Sequence, residues 1–176
     1  MSTRIWPAAA RDGEELPHHD NGQDWIVSWH PPTVPPDGTP HGAAGICLTG
    51  NAEIVLVRNA GGWEIPAGRP EGDETWEETL RREMMEEACV AVVEAKLLGF
   101  SRGKCLRGEQ KGLVIVRSVW RAEGELRPWN PQFEMTERLV IPISEVWNRL
   151  TIPESVTMAR INARMLVEAG IPSLPG

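Results

Sequence analysis

The sequence predicts an α/β (α+β) domain, a β-sheet carrying one strongly acidic helix, and three observations predict it. Short runs rich in β-branched residues, Gly45–Thr49, Glu53–Val57 and Leu113–Trp120, are bounded by turn residues and read as strands. Between them, Thr75 to Ala88 shows helical periodicity behind a capping-box spacing, Thr75-Trp76-Glu77-Glu78. After them come two more helical stretches, the last closed by Gly170 and Pro172. A chain of 176 residues is long enough to bury one ordinary core.

Taken in order, residues 1–41 differ in composition from the rest and read as an N-terminal extension packed on a domain of residues 42–176. Pro31, Pro32, Pro35, Pro36 and Pro40 exclude a helix or an inner strand and predict an extended, polyproline-like strap. Trp25–Trp29 reads as a short edge strand whose large aromatics hold the strap to the domain. Gly50 and Asn51 suit the positive φ of a hairpin turn between the next two strands. Trp63–Ile65 is extended and leads through Pro66 to Gly68. After the acidic helix, Val90–Phe100 and Leu113–Trp120 read as strands, and Leu139–Ile141 as a strand stopped by Pro142. Ser144–Leu150 reads as a short helix. Pro153–Ala169 reads as a longer one with Met158, Ile161, Met165 and Leu166 at helical spacing. The chain contains no internal repeat.

A net charge of −7 argues against a general nucleic-acid-binding surface, which needs a basic face. It does not argue against one nucleotide held through metal ions. No stretch approaches the roughly 20 apolar residues of a membrane span, so no membrane partner is expected. Met1–Pro7 has no apolar signal core, and a cytoplasmic location is the expectation. Cys47, Cys89 and Cys105 are too widely spaced for a zinc pattern or a disulfide framework and read as reduced, buried thiols. His18, His19, His30 and His41 lack metalloprotease spacing, and the His18-His19 pair reads as solvated loop.

The helix carries the chemistry. Leu80, Met84 and Ala88 form a narrow apolar stripe. Glu83, Glu86 and Glu87 stand at i, i+3 and i+4, fanned over roughly 100° of one side. Like charges so close repel one another. Arg82 offers relief, and Arg81 points further round. Alone, such a run is usually a solvated acidic face. Gly68, placed in a turn before the helix, permits an unusual backbone and lets a carbonyl face inward. A carbonyl with several carboxylates is an oxygen cage suited to Mg²⁺ or Mn²⁺.

Gly68, Glu74, Arg82, Glu83, Met84, Glu86, Glu87 and Val90 together resemble the Nudix box, and the resemblance covers roughly residues 42–150. Cys89 departs from it, since the family usually has glycine there. At a helix C-terminus a cysteine is either strained in a left-handed cap or the helix ends differently. The resemblance implies a Nudix-like α/β/α sandwich with a central mixed β-sheet and a loop-helix-loop metal site. It also implies metal-dependent hydrolysis of a phosphoanhydride in a nucleoside diphosphate linked to another group. By resemblance, Mg²⁺ (or Mn²⁺) is held by Glu83, Glu86, Glu87 and the Gly68 carbonyl, and Glu74 and Arg82 orient those carboxylates. The implied general base is Glu83 in the box or Glu137 outside it, with Glu134 and Glu109 as alternatives. Arg58 is a candidate phosphate or base contact, and Trp120 or Trp129 a candidate stacking surface.

The implied partner is a small-molecule nucleotide or nucleoside diphosphate derivative, and a homodimer is left open. The Ser-Gln-Pro-Trp-Pro-Phe-Pro array of NADH-cleaving relatives is absent. So is the downstream tyrosine of many dinucleoside-polyphosphate hydrolases, since the chain has no tyrosine. The proline about sixteen residues past the box in many ADP-ribose hydrolases is also missing. Nucleoside triphosphates, nucleotide sugars and other diphosphates remain. The competing class is a Nudix-fold binding or regulatory module without turnover.

Overall fold

A computed structural model describes residues 5–173. Its centre is a mixed sheet of nine strands: β1 (Leu16–Asp20), β2 (Gln23–His30), β3 (Thr39–Leu48), β4 (Glu53–Asn59), β5 (Gly62–Glu64), β6 (Ala67–Gly68), β7 (Val90–Arg107), β8 (Val114–Leu126) and β9 (Glu137–Pro142). The main path runs β1-β2-β7-β8-β3-β4-β5, while β6 pairs with β3 and β9 with β4. Among the nine described strands only β3 and β8 pair in parallel, and the other strand pairings are antiparallel. Helix α1 (Trp76–Ala88) lies between β6 and β7, and α2 (Val146–Arg149) and α3 (Val156–Glu168) follow β9.

Alternation along the strands sends side chains to two cores. In β4, Ile54 and Leu56 pack with Ile161, Met165 and Leu166 of α3. Val55 and Val57 face the opposite way and pack with Leu80, Met84 and Ala88 of α1. Helices therefore cover both faces of one sheet, the expected sandwich. The apolar stripe of α1 is fully buried. In α3, Ile161, Met165 and Leu166 are buried, but Met158 is half-exposed and lines a cavity.

Several local readings change. The turn between β3 and β4 places its left-handed residue at Ala52, φ 56°, rather than at Gly50 or Asn51. The Thr49 hydroxyl accepts the Asn51 N–H at 3.3 Å and moves the tight corner one step on. Trp25–Trp29 does not form the sheet edge. It lies within β2, between β7 and an outer strand, β1. The signal for β1 is Asn21-Gly22, both at positive φ (47° and 73°), the pair that a two-residue hairpin prefers. His18 and His19 consequently stand on a strand, His18 bonded to Ser155 Oγ at 2.9 Å and His19 to Asp24 at 2.7 Å. The proline-rich segment is the connection from β2 to β3 as far as Gly38. Pro40, however, lies in β3 opposite Val116 of β8, an inner strand after all, where a register shift between Pro40 and Gly42 accommodates it.

Residues ahead of β1 are tied to α3. The Arg160 guanidinium donates to both Glu14 oxygens, at 2.9 and 2.8 Å, and Arg164 donates to the Ala10 carbonyl at 2.8 Å. Trp6 donates to the Trp147 carbonyl at 2.8 Å. Hydrogen bonds from Arg160, then from the Arg11 amide, hold the Glu14 carboxyl down at about 2 against an ordinary 4.5. A lowered folded-state pKa stabilises above the unfolded value and is lost as pH falls through the folded one. Between pH 4.5 and 2 the Glu14→Gln variant should therefore lose stability less steeply than wild type in urea unfolding. Equal slopes would remove this anchor from the account of acid unfolding.

Candidate functional site

Helix α1 starts as its sequence dictates. Thr75 Oγ1 accepts the Glu78 N–H at 3.2 Å, and Glu78 Oε2 accepts the Thr75 N–H at 2.8 Å. Its other end is closed by Cys89 in the left-handed region, φ 52°, with the cap N–H turned back to the Met84 and Met85 carbonyls. The family glycine position therefore keeps its left-handed geometry with a cysteine in it. The buried Cys89 thiol also accepts the Asn130 N–H at 3.3 Å, holding the loop between β8 and β9. Cys89→Gly should raise stability by up to about 1 kcal/mol, because the left-handed penalty exceeds one weak sulfur contact. A lower urea midpoint in that variant would reverse the order of the two terms.

Arg82 is the hub of the acidic face. Its Nε and Nη2 grip Glu74 at 2.6 and 3.0 Å, and its Nη1 donates to Glu83 at 2.9 Å and to Glu86 at 3.0 Å. Nη2 also donates to the Arg69 carbonyl at 2.7 Å, fixing the loop that leads from Gly68. Glu74 is thereby held at about 2, chiefly by Arg82 and then by the Glu71 amide. Arg82 thus joins Glu74 to two of the three helix carboxylates.

Glu83 is buried, and desolvation raises its pKa against the opposing pull of Arg82. The reason for Gly68 is steric. It does not adopt a left-handed φ, but a Cβ there would fall inside the Glu83 carboxylate. Only a hydrogen lets β6 lie against that side chain. Glu87 is half-buried, and Oε2 accepts the Ala67 N–H at 3.1 Å. Desolvation lifts it to about 7, with repulsion from Glu83, Glu64 and Glu134 adding to the rise.

Glu64 was not among the sequence candidates. It sits on β5, accepts from Asn59 at 2.7 Å and lines the cavity next to Gly68. Its signal was present in Trp63-Glu64-Ile65-Pro66, but only folding brings it to Glu87. The residues proposed outside the box are placed differently. Glu137 opens β9 and binds Arg58 at 3.3 Å, with both side chains exposed. Arg58 also lies over the Trp63 ring, 5.7 Å from its centroid. Glu134, in the loop before β9, reaches Glu87 through its charge, while Glu109 lies in the β7–β8 hairpin turn. Trp120 is core: it is buried and donates to Ser118 Oγ at 2.9 Å. Trp129 is half-exposed under the Arg138 guanidinium.

Among the described residues no three His, Cys, Asp or Glu side chains converge on one point. Arg82 holds Glu83 and Glu86 while Ala67 holds Glu87. The donor set still fits a hard divalent cation: it is all oxygen, and Glu83 and Glu87 bear burial costs that a positive ion would offset. Among the described residues no helix is long and apolar enough to cross a membrane.

Solved structures share this architecture. The Bacillus subtilis pyrophosphohydrolase BsRppH is 21% identical at a TM-score of 0.61, covering 88% of this chain and 94% of that one. A NUDIX hydrolase from Nitrosomonas europaea is 17% identical at a TM-score of 0.55, covering 76% and 91%. The NUDIX domain of Shewanella oneidensis NrtR, crystallised with ADP ribose, is 16% identical at 0.53, covering 77% and 92%. At such identities the likeness speaks for the fold. The NUDIX domain family model matches residues 39–161, the stretch that contains β3, the Gly68–Glu83 contact and the capped acidic helix. With that match spanning most of the chain, this protein belongs to the NUDIX domain family.

Proposed function

We propose that this domain is a metal-dependent nucleotide pyrophosphohydrolase, cleaving a phosphoanhydride in a nucleoside diphosphate linked to another group. The observation that supports it most is the burial of the Glu83 carboxylate against Gly68, a desolvation cost that an inert acidic surface avoids. Glu83, Glu86, Glu87 and the Gly68 carbonyl would hold Mg²⁺ or Mn²⁺. Bound there, the ion would screen the diphosphate charge and make water a better nucleophile. Arg82 and Glu74 orient the carboxylates, and the Ala67 amide fixes the Glu87 oxygen it binds. Glu83, or a loop carboxylate, Glu137 at the start of β9 or Glu134 before it, would accept the proton of the attacking water. Glu137, with an oxygen on Arg58, together with Arg58 over Trp63, supports the wall of the nucleotide cavity.

Purified protein with Mg²⁺ or Mn²⁺ should release phosphate, pyrophosphate or a nucleoside monophosphate from members of a nucleotide panel. The products are to be identified by chromatography. Silence across the panel with metal binding intact would select the binding-module reading instead.

A further inference from the structure

Two cavities, about 540 and 390 Å³, meet at a shared seam of His41, Arg69, Ser101, Arg117 and Met158. The first opens beside Gly68 and runs between Trp63 and α3, where Asn162 and Met165 line it. Its size suits a nucleoside. The second is walled by Asp20, Asn21 and Trp25 of the β1–β2 hairpin, which precedes residue 39, where the family match begins. Gln110 and Leu113, from the turn between β7 and β8, complete it.

The seam is cationic. Arg117 projects from β8 in register with Ser101 on one side and Gly42 on the other, so small neighbours leave its long side chain room. Among the described residues neither Arg69 nor Arg117 has a carboxylate partner. Lost hydration and mutual repulsion lower the pKa of Arg117, and burial followed by both arginines lowers that of His41. Both side chains stay exposed at the mouth of the seam, where two cations without carboxylate partners offer a binding place for a diphosphate. The loop that carries Arg69 is tied by its carbonyl to Arg82, so this anion site adjoins the carboxylate face.

Beyond the seam the chemistry changes. The Trp25 ring lies over Gly103, within 3.5 Å of the position a Cβ would take there, and Trp25 is half-buried. Around it stand the Asp20 carboxylate and the Asn21 and Gln110 side chains. An aromatic face ringed by planar acceptors and amides matches a ring bearing several hydroxyls. The Asp20 charge opposes a second phosphate in that chamber.

We propose that the β1–β2 hairpin builds a second chamber that binds the sugar of a nucleoside diphosphate sugar, with the diphosphate crossing the Arg69–Arg117 seam and the nucleoside in the first cavity. This rests on the pyrophosphohydrolase reading and names its substrate class.

The test compares ADP-glucose and UDP-glucose with ATP and UTP, using Mg²⁺-loaded wild type, Trp25→Ala and Asp20→Ala. Wild type should favour the sugar nucleotides by about tenfold in kcat/KM, and each variant should erase that preference mainly through KM. Asp20 is exposed at the end of β1, so its variant reports even if Trp25→Ala misfolds. No preference in wild type, or equal losses on both substrate types, overturns the chamber. If nothing is turned over, the catalytic reading fails separately, and calorimetric titration with ADP-glucose and ADP still decides. Tighter binding of ADP-glucose that Asp20→Ala abolishes supports the chamber; equal affinities overturn it.

Discussion

Glu87→Gln is expected to lose about 10³-fold in metal-dependent turnover while the protein folds normally. The amide keeps the shape of the carboxyl and can still accept the Ala67 N–H, so the contact between β6 and α1 survives. What it loses is the charge offered to a divalent ion. Stability gives a second readout. The wild-type carboxyl is raised from 4.5 to about 7, so its neutral form is the one the fold prefers. The associated stability is complete below pH 4.5 and is lost as pH rises through about 7. Metal-free wild type should thus weaken across that window, and Glu87→Gln should weaken less, Glu83 being the other carboxyl that burial raises. Saturating Mg²⁺ should reverse the wild-type loss with release of a proton. Urea unfolding at pH 5, 7 and 8, with and without Mg²⁺, measures all of this. Wild-type rates in Glu87→Gln would remove its assigned role.

Gly68→Ala should be nearly as damaging for a different reason. The added methyl would occupy the place of the Glu83 carboxylate, so either Glu83 leaves its position or β6 moves off α1. Overpacking of this kind costs about 1–3 kcal/mol. A shift of about 1 Å in a reacting group costs roughly 10²-fold in rate. The variant should therefore lose both stability and kcat, and denaturation curves beside steady-state kinetics would show it. Normal kcat and normal stability together would mean that β6 and Glu83 are not in the contact described.

The site was legible where its information is local. Thr75 with Glu78, the Leu80–Met84–Ala88 stripe and the Glu83–Glu86–Glu87 fan follow from helical spacing alone, and the structure shows the cap and the stripe directly. Gly68 was picked out correctly as special but for a different cause: the sequence suggested backbone freedom, whereas the structure shows close approach. Glu64 went unnoticed because its relation to Glu87 crosses from β5 to α1. Trp120 reads as a stacking candidate in isolation, yet in the alternation of β8 it faces the core packed by α1. The β1–β2 hairpin was legible and overlooked, since Asn21-Gly22 is a strong turn signal beside a proline-rich stretch that drew attention elsewhere.

By itself, then, the sequence determined the main strands and helices from β3 onward, the capped acidic helix and the family to which it belongs. Periodicity, capping and turn chemistry act over a few residues and can be read along the chain. The tertiary structure alone decided which oxygen each carboxylate uses, that Arg82 binds three of them, and that Arg69 and Arg117 meet across two cavities. Those arrangements depend on sheet register, which sets Ala43 beside Gly68 and Gly42 beside Arg117, pairings between segments far apart in the chain.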